Sequence, residues 1–177
     1  MTGVLVIGGQ RSGKSRYAES IVRGSGKTPV LIATATAGDD EMRARIAAHR
    51  AARGPGWLTI EEPLALAEAL RRGAEPGRVL LVDCLTLWLA NLLGVARPPA
   101  VAADQLIDAL GALPCPVVLV SNEVGSGIIP DNALARRYAD LLGTLNQRVA
   151  AAVDRVVLMT AGVPVLIKPA PAADLGL

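Results

Sequence analysis

Residues 8–15 are the part of the chain whose residue types and spacing are best suited to chemistry. They read Gly-Gly-Gln-Arg-Ser-Gly-Lys-Ser, which fits the phosphate-loop pattern of a glycine, four residues and then Gly-Lys-Ser. Glycines let the backbone curl with its N–H groups directed inward, so that phosphate oxygens meet several donors at the start of a helix. Lys14 supplies a mobile positive charge for the outer phosphates, and the hydroxyl of Ser15 can bind Mg²⁺. The motif therefore predicts a nucleotide site.

The segments on either side of this loop support the phosphate-binding interpretation. Residues 4–7 form a short β-branched and leucine run typical of a buried strand, and residues 15–22 suit a helix. Strand, loop and helix is the order that the motif requires. The alternative is a glycine turn that fits the pattern by chance, and this flanking order disfavours it.

A second chemical landmark is the acid at the end of an apolar segment. Residues 79–83 are apolar up to Asp83, as expected of a strand that ends in a magnesium-linked carboxylate. Buried strands that end in an ordinary structural aspartate are also common, so the pattern alone leaves both interpretations open. The phosphate loop earlier in the same domain favours the magnesium interpretation. Ser15 and Asp83 are therefore the predicted metal-linked residues.

His49 is the only histidine in the sequence and lies among basic residues. At helical spacing it shares a face with Arg45 and Arg53, and Arg50 is its neighbour. Nearby cations favour a neutral imidazole, which is a competent nucleophile, and the same arginines could bind the phosphates of the compound under attack. A lone histidine on a charged helix is more often a solvated surface residue, so spacing alone leaves the nucleophile as a hypothesis.

The order of the elements predicts a three-layer α/β/α domain of the P-loop NTPase type with a mostly parallel sheet, because short apolar strands alternate with helices. The strands are expected at 4–7, 29–33, 57–61, 79–83 and 116–120, and the helices at 15–22, 39–53, 63–72, 85–93, 101–113 and 130–153. Residues 155–160 and 163–168 predict a C-terminal hairpin that gives the sheet an antiparallel edge. Residues 1–168 are thus expected to form one nucleotide-binding domain, and 169–177 a flexible tail.

Polar segments follow two of these strands at the edge where open α/β sheets bind ligands. Thr34, Ala35 and Thr36 come directly after the second strand and are predicted to face the nucleotide. Residues 121–127 follow the strand at 116–120. This second segment is either a plain connection or a ligand-facing loop, and its polar density with Gly-Ser-Gly favours the loop.

Composition narrows the class of protein. The 177 residues are 51% hydrophobic, enough for a sizeable core in one domain. A net charge of +2 and few aromatic residues argue against a nucleic-acid partner. Cys84 and Cys115 lack metal or redox spacing and no secretion signal is recognised, so a cytoplasmic location is expected. The apolar stretch 79–96 contains Asp83 and Asn91, and it predicts a buried strand and helix rather than a transmembrane segment.

The sequence resembles the bifunctional adenosylcobinamide kinase/adenosylcobinamide-phosphate guanylyltransferases of cobalamin biosynthesis. The resemblance covers residues from about 4 to 168 and rests on the order and spacing of several blocks. These are residues 8–16, residues 39–42, Arg45-Ile46 with His49 and Arg50, residues 122–125, residues 128–130, and Ile167-Lys168.

The resemblance implies a two-step reaction. ATP or GTP phosphorylates the aminopropanol hydroxyl of adenosylcobinamide. GTP then gives its GMP to an enzyme histidine and releases pyrophosphate, and the GMP passes to adenosylcobinamide phosphate to form adenosylcobinamide-GDP. His49 occupies the position of that histidine. The resemblance also implies a requirement for Mg²⁺ and a small homo-oligomer such as a trimer.

The same resemblance implies a set of functional residues, with His49 and Lys14 as the catalytic pair and Ser15 and Asp83 as the metal-linked pair. The nucleotide-binding residues that it implies are Gly8, Gly9, Gln10, Arg11, Ser12, Gly13, Lys14, Ser15, Thr34, Ala35, Thr36, Arg50, Ala51, Ala52, Arg53, Glu61 and Asp83. Glu62 fits the local pattern as well as Glu61 does, so the sequence leaves the choice between these two acids open.

Two other classes of protein are alternatives. A GTP-binding switch without a metabolic substrate should carry an Asn-Lys-x-Asp motif after a core strand, whereas Asn122 is followed by Glu-Val-Gly. Another P-loop ATPase or kinase without guanylyl transfer, such as a motor or recombination-type ATPase, would usually need a longer chain or a polynucleotide-binding surface. The sequence favours the bifunctional transferase over both.

Overall fold

The computed structural model describes residues 2–38 and 40–169, without the side chains of Met42, Arg45, His49 and Ala52. Strands and helices alternate along these ranges, as the sequence predicts. Their bounds are β1 Gly3–Gly8, α1 Lys14–Gly24, β2 Thr28–Ala33, α2 Asp40–Arg53, β3 Leu58–Glu61, α3 Leu66–Gly73, β4 Arg78–Asp83, α4 Leu85–Gly94, α5 Pro99–Ala112, β5 Val117–Asn122, α6 Ala133–Ala152, β6 Arg155–Thr160 and β7 Val163–Lys168. The predicted flexible tail, apart from residue 169, lies outside the described residues.

The strands form one sheet in the order β3-β2-β4-β5-β1-β6-β7. Neighbouring strands from β3 to β6 are parallel, and β7 is antiparallel to β6. The mostly parallel sheet with an antiparallel C-terminal hairpin is therefore confirmed. Because the pairing is in register, Gly8 is level with Asn122 on one side and Met159 on the other, and Ala33 is level with Asp83. These strand ends lie along one edge of the sheet.

Apolar residues on the two faces of the strands build two separate cores. Alternate strand residues point to opposite faces, so Leu5 and Leu80 lie in the core under α3 to α6, whereas Val6 and Leu81 lie in the core under α1. Burial of both faces explains why these strands read as continuous apolar runs. The result is the predicted arrangement of three layers. No described residue of α2 belongs to either core.

Side-chain hydrogen bonds and strand pairing account for the shift of three predicted element boundaries. Helix α6 begins at Ala133 rather than residue 130, because the Asn132 side chain accepts hydrogen bonds from the N–H groups of Leu134 and Ala135 at 2.8 and 3.1 Å. Helix α3 begins at Leu66 rather than residue 63, because the N–H groups of Leu64 and Ala65 donate hydrogen bonds to the Glu62 carboxylate in the turn before the helix. Strand β5 continues through Asn122, which pairs with Gly8, so the predicted loop begins two residues later, at Glu123.

The hairpin formed by β6 and β7 is tied to the rest of the fold at its end. Lys168 Nζ donates hydrogen bonds to the carbonyl oxygens of Ala150 and Val153 at 2.8 and 2.6 Å. An ammonium group at a helix C-terminus satisfies unpaired carbonyls and complements the helix dipole. This contact gives Lys168 a structural role. Within the described ranges, no helix is long and apolar enough to cross a membrane.

Candidate active site

A cavity of about 870 Å³ opens at the carboxyl edge of the sheet, where the parallel strands end. Its volume is in the range that small-molecule sites occupy. It collects many of the residues that the sequence singled out. Those predicted residues that line it are Gln10, Arg11, Ser12, Gly13, Lys14, Ser15, Ala35, Arg50, Arg53, Glu61 and Asp83.

Two of the three glycines in the phosphate loop are required by its geometry. A Cβ on Gly8 would lie 2.4 Å from the carbonyl oxygen of Met159, so no larger residue fits there. Gly13 has a φ of +94° and is the N-cap of α1, a backbone conformation that favours glycine. Gly9 differs, because a Cβ there would meet nothing within 4 Å. The requirement predicted for all three glycines thus applies to Gly8 because of a close contact and to Gly13 because of its positive φ.

Hydrogen bonds hold the phosphate loop in shape. Lys14 is only 8% exposed, and its Nζ donates a hydrogen bond to the Gly9 carbonyl oxygen at 2.7 Å. The turn between β6 and β7 supports the loop from behind, because the N–H of Gly162 donates to the Ser12 carbonyl oxygen at 3.1 Å. The lysine is therefore folded over the loop at the N-terminus of α1, where a bound anion also meets the positive end of the helix dipole.

Ser15 and Asp83 reach this cavity from different elements, the start of α1 and the end of β4. A hydroxyl and a carboxylate are oxygen donors of the kind that Mg²⁺ prefers, and Mg²⁺ commonly takes one or two protein ligands beside substrate phosphates. Across the described residues there is no cluster of three or more His, Cys, Asp or Glu side chains that could form a larger metal site. The pair fits the predicted role of binding magnesium together with a phosphate.

Thr34 does not face the cavity, which corrects the prediction for this residue. It is fully buried, and its hydroxyl donates to the Cys84 carbonyl oxygen at 2.7 Å while accepting from the Cys84 N–H at 2.8 Å. Thr36 is exposed and is not among the lining residues, so only Ala35 of this predicted segment lines the cavity. Thr34 therefore joins the ends of β2 and β4 and supports the backbone beside Asp83.

The structure distinguishes the two neighbouring acids that the sequence could not. Glu61 lines the cavity. Glu62 instead accepts hydrogen bonds from the N–H groups of Leu64 and Ala65 at 3.1 and 2.9 Å, so its carboxylate is occupied at the start of α3. An acid at this position also complements the helix dipole. Glu61 is therefore the acid that is available to a ligand.

Helix α2 brings basic residues to the cavity through its last turn. Arg50 and Arg53 both line the cavity, and Arg53 pairs with Glu19 of α1 at 2.8 Å. His49 lies one turn before Arg53 in the same helix, and its side chain lies outside the described part of the structure. The Ala52 side chain is likewise outside it, and Ala51 lines a shallow depression beside the cavity together with Arg50.

Thr86 and Asn122 are lining residues that the sequence did not single out individually as site residues. The Thr86 hydroxyl accepts a hydrogen bond from the Asn122 N–H at 2.8 Å, and the Tyr138 hydroxyl donates to the Thr86 carbonyl oxygen at 2.8 Å. Burial raises the pKa of Tyr138 to about 12, so it remains a donor at neutral pH. Their position in the sequence could have indicated them as site residues, because each lies at or just beyond the end of a core strand.

Residues 4–167 match the CobU family, described as cobinamide kinase / cobinamide phosphate guanyltransferase. The bifunctional adenosylcobalamin biosynthesis protein CobP of Pseudomonas aeruginosa is 52% identical over 169 residues, which are 94% of this chain and 98% of that protein. The chain belongs to the CobU family. The bifunctional adenosylcobalamin biosynthesis protein CobU of Escherichia coli is 41% identical over 180 residues, with 93% and 99% of the two chains covered.

Membership of the CobU family confirms the predicted resemblance and the predicted enzyme class of cobinamide kinase and cobinamide phosphate guanylyltransferase. Solved structures agree on the fold. A protein from Pyrococcus horikoshii has a TM-score of 0.54 at 13% identity, with 95% of this chain and 88% of that one covered. The P4 protein of bacteriophage phi6, solved in complex with ADP, has a TM-score of 0.51 at 18% identity, with 96% and 58% covered. These structures support the P-loop NTPase-like fold.

Proposed function

We propose that this CobU family member carries out two consecutive reactions at the cavity described above. The first is phosphorylation of the aminopropanol hydroxyl of adenosylcobinamide by ATP or GTP. The second is transfer of GMP from GTP to adenosylcobinamide phosphate through a guanylyl-histidine at His49. The supporting observation is that the phosphate loop, Asp83 and the basic last turn of α2 line one cavity.

In the proposed kinase step, the phosphate loop holds the nucleotide and its charge. Backbone N–H groups at the start of α1 bind phosphate oxygens, and Lys14 stabilises the negative charge that develops on the transferred group. The substrate hydroxyl oxygen attacks the γ-phosphorus and releases its proton to water, the bond from that phosphorus to the β-phosphate oxygen breaks, and the nucleoside diphosphate leaves. Ser15 and Asp83 would hold Mg²⁺, which neutralises phosphate charge when it is bound.

In the proposed transferase step, an imidazole nitrogen of His49 attacks the α-phosphorus of GTP. A nitrogen–phosphorus bond forms, the bond between that phosphorus and the bridging oxygen to the β-phosphate breaks, and pyrophosphate leaves. A phosphate oxygen of adenosylcobinamide phosphate then attacks the same phosphorus and displaces the histidine. Arg50 and Arg53 line the cavity, and in this proposal they bind phosphate oxygens during both attacks.

Labelling with GTP tests the nucleophile. Protein incubated with GTP labelled at the α-phosphate should take up covalent label that is released by adenosylcobinamide phosphate, whereas label at the γ-phosphate should leave with pyrophosphate. A His49→Asn variant should lose the covalent label and retain phosphorylation of adenosylcobinamide with ATP, because only the second step uses the imidazole. Unchanged labelling of that variant would remove His49 from the mechanism.

We also propose that the chain forms a homo-oligomer such as a trimer. Strand β7 is the edge of the sheet, and Val163, Val165 and Leu166 on it are 60%, 50% and 57% exposed. An exposed apolar edge strand is a surface that favours pairing with another chain. Light scattering after size-exclusion chromatography would measure the mass, and a purely monomeric mass would contradict the proposal. A cytoplasmic location stays a prediction.

A further inference from the structure

An enclosed ion pair joins the helix that follows the phosphate loop to the helix that carries His49. Arg53 Nε at the end of α2 donates a hydrogen bond to Glu19 Oε1 on α1 at 2.8 Å, and both side chains are 13% exposed. Arg23, one turn further along α1, donates from Nη2 to the Arg53 carbonyl oxygen at 2.9 Å and lies 3.8 Å from the Glu19 carboxylate. Glu19 of α1 therefore pairs with Arg53 of α2 and lies beside Arg23 of its own helix, and Arg23 in turn donates to the last carbonyl of α2.

The other described polar contacts of α2 are far more exposed. Asp40 pairs with Arg43 inside the same helix, so that pair attaches α2 to nothing else. The contact between Arg50 and Glu61 has a separation of 4.0 Å, with side chains 73% and 72% exposed. Exposed pairs of this kind contribute little because water and salt screen them. Since no described residue of α2 lies in a core, the Glu19 contact is the strongest described attachment of this helix.

Glu19 does not line the cavity, whereas its partner Arg53 does. If the carboxylate is removed, the Arg53 guanidinium is left largely enclosed without its charge partner, which is an unfavourable state. The guanidinium would then turn towards water or towards Glu41, Glu61 and Asp83, the acids that line the cavity. In either case its position relative to a bound triphosphate changes, and so does the last turn of α2.

We propose that Glu19 is a positioning residue for GMP transfer. Through Arg53 it holds the last turn of α2 against α1, so that this guanidinium and the imidazole one turn earlier are presented to the α-phosphate of GTP bound at the phosphate loop. This role rests on the proposed function of His49. The kinase step depends on the loop and on Asp83, neither of which contacts Glu19 among the described hydrogen bonds and ion pairs.

The test is a comparison of the two half-reactions in a Glu19→Gln variant, which keeps the size of the side chain and removes its charge. We expect the rate of covalent labelling by α-labelled GTP to fall about tenfold or more, since a hydrogen bond between charged groups commonly contributes that factor. Phosphorylation of adenosylcobinamide by ATP should change less than about twofold. A Glu75→Gln variant is the matched control, because Glu75 pairs with Arg78 at 2.9 Å at the opposite edge of the sheet.

A double-mutant cycle separates positioning from general stabilisation. If Glu19 acts through Arg53, Glu19→Gln should have little further effect on labelling in an Arg53→Ala background. Additive losses would overturn the proposal, as would equal losses of the two half-reactions in the single variant. If the Glu19→Gln variant is labelled normally and the His49→Asn variant takes no label, the role of Glu19 is rejected while the guanylyl-histidine at His49 is retained. If the wild-type chain takes no label, the guanylyl-histidine and the role of Glu19 are both rejected.

Discussion

The Thr34 hydroxyl offers a sharp test of how the cavity is built. It is fully buried and bridges both backbone polar groups of Cys84, with distances of 2.7 Å to the carbonyl oxygen and 2.8 Å from the N–H. A Thr34→Val substitution keeps the shape of the side chain and removes the hydroxyl. The two strand ends that it joins carry Ala35 and Asp83, both of which line the cavity.

The two hydrogen bonds do not contribute equally to the expected loss. The Cys84 carbonyl oxygen also accepts a hydrogen bond from the Trp88 N–H at 3.2 Å, so it keeps a partner when the hydroxyl is gone. The Cys84 N–H has the Thr34 hydroxyl as its described partner and would be left unpaired in the interior. A buried unpaired group costs about 1–3 kcal/mol. Loss of the hydrogen bond to the Cys84 carbonyl oxygen adds a smaller cost, so we expect Thr34→Val to lower the free energy of unfolding by about 2–3 kcal/mol.

A Thr34→Ser variant is the matched control because it keeps the hydroxyl and removes one methyl group. Its loss should be about 1 kcal/mol, the usual value for a buried methyl. For a chain of this size, 1 kcal/mol shifts the melting temperature by about 2–4 °C, so thermal unfolding separates the two variants. Kinase activity should also fall more in Thr34→Val, since the backbone beside Asp83 loses its support. Equal stability of the two variants would refute this account of the hydroxyl.

Two further predictions follow from the same edge of the sheet. Gly8→Ala should abolish kinase activity, because its Cβ would lie 2.4 Å from the Met159 carbonyl oxygen, whereas Gly9→Ala should retain the fold, since its Cβ meets nothing within 4 Å; circular dichroism and ATP turnover would show the contrast. Burial, and to a smaller extent the Asp83 carboxylate, raise the pKa of the Cys84 thiol, so the folded chain favours the neutral thiol. The contribution of this thiol to the free energy of unfolding is therefore lost only as the pH rises above the pKa of the unfolded thiol. Iodoacetamide at pH 8 should therefore alkylate Cys84 more slowly in the folded chain than in urea, and equal rates would contradict the assignment.

The parts of the site that could be predicted from sequence are those fixed by local order. The phosphate loop follows a strand and precedes a helix, so its residues could be predicted from short-range pattern. The position of Asp83 at the same edge of the sheet follows from the parallel topology. The orientation of Thr34 could not be predicted in this way. It lies just after the end of β2, where the alternation of strand side chains stops, and its partner Cys84 is 50 residues away.

The choice between Glu61 and Glu62 shows the same limit at short range. Both acids follow the apolar residues of β3, so hydrophobic pattern does not separate them. The Glu62 carboxylate instead accepts hydrogen bonds from the N–H groups of Leu64 and Ala65, and this contact depends on the path of the turn before α3. The Glu19–Arg53 pair could not be predicted for a related reason, because these two residues are 34 positions apart in sequence and meet only when α1 and α2 are brought together in the fold.

The two halves of the proposed mechanism are thus held in place by different kinds of force. The phosphate loop is fixed by backbone hydrogen bonds and by strands whose apolar residues are almost fully buried. The end of α2 is fixed, among the described residues, by charge pairing with α1. Substitutions in the core should therefore damage both half-reactions together, whereas substitutions of the charges between α1 and α2 should damage GMP transfer selectively. If both proposed half-reactions use this cavity, kinase activity should depend on the sheet and GMP transfer on the attached helix α2.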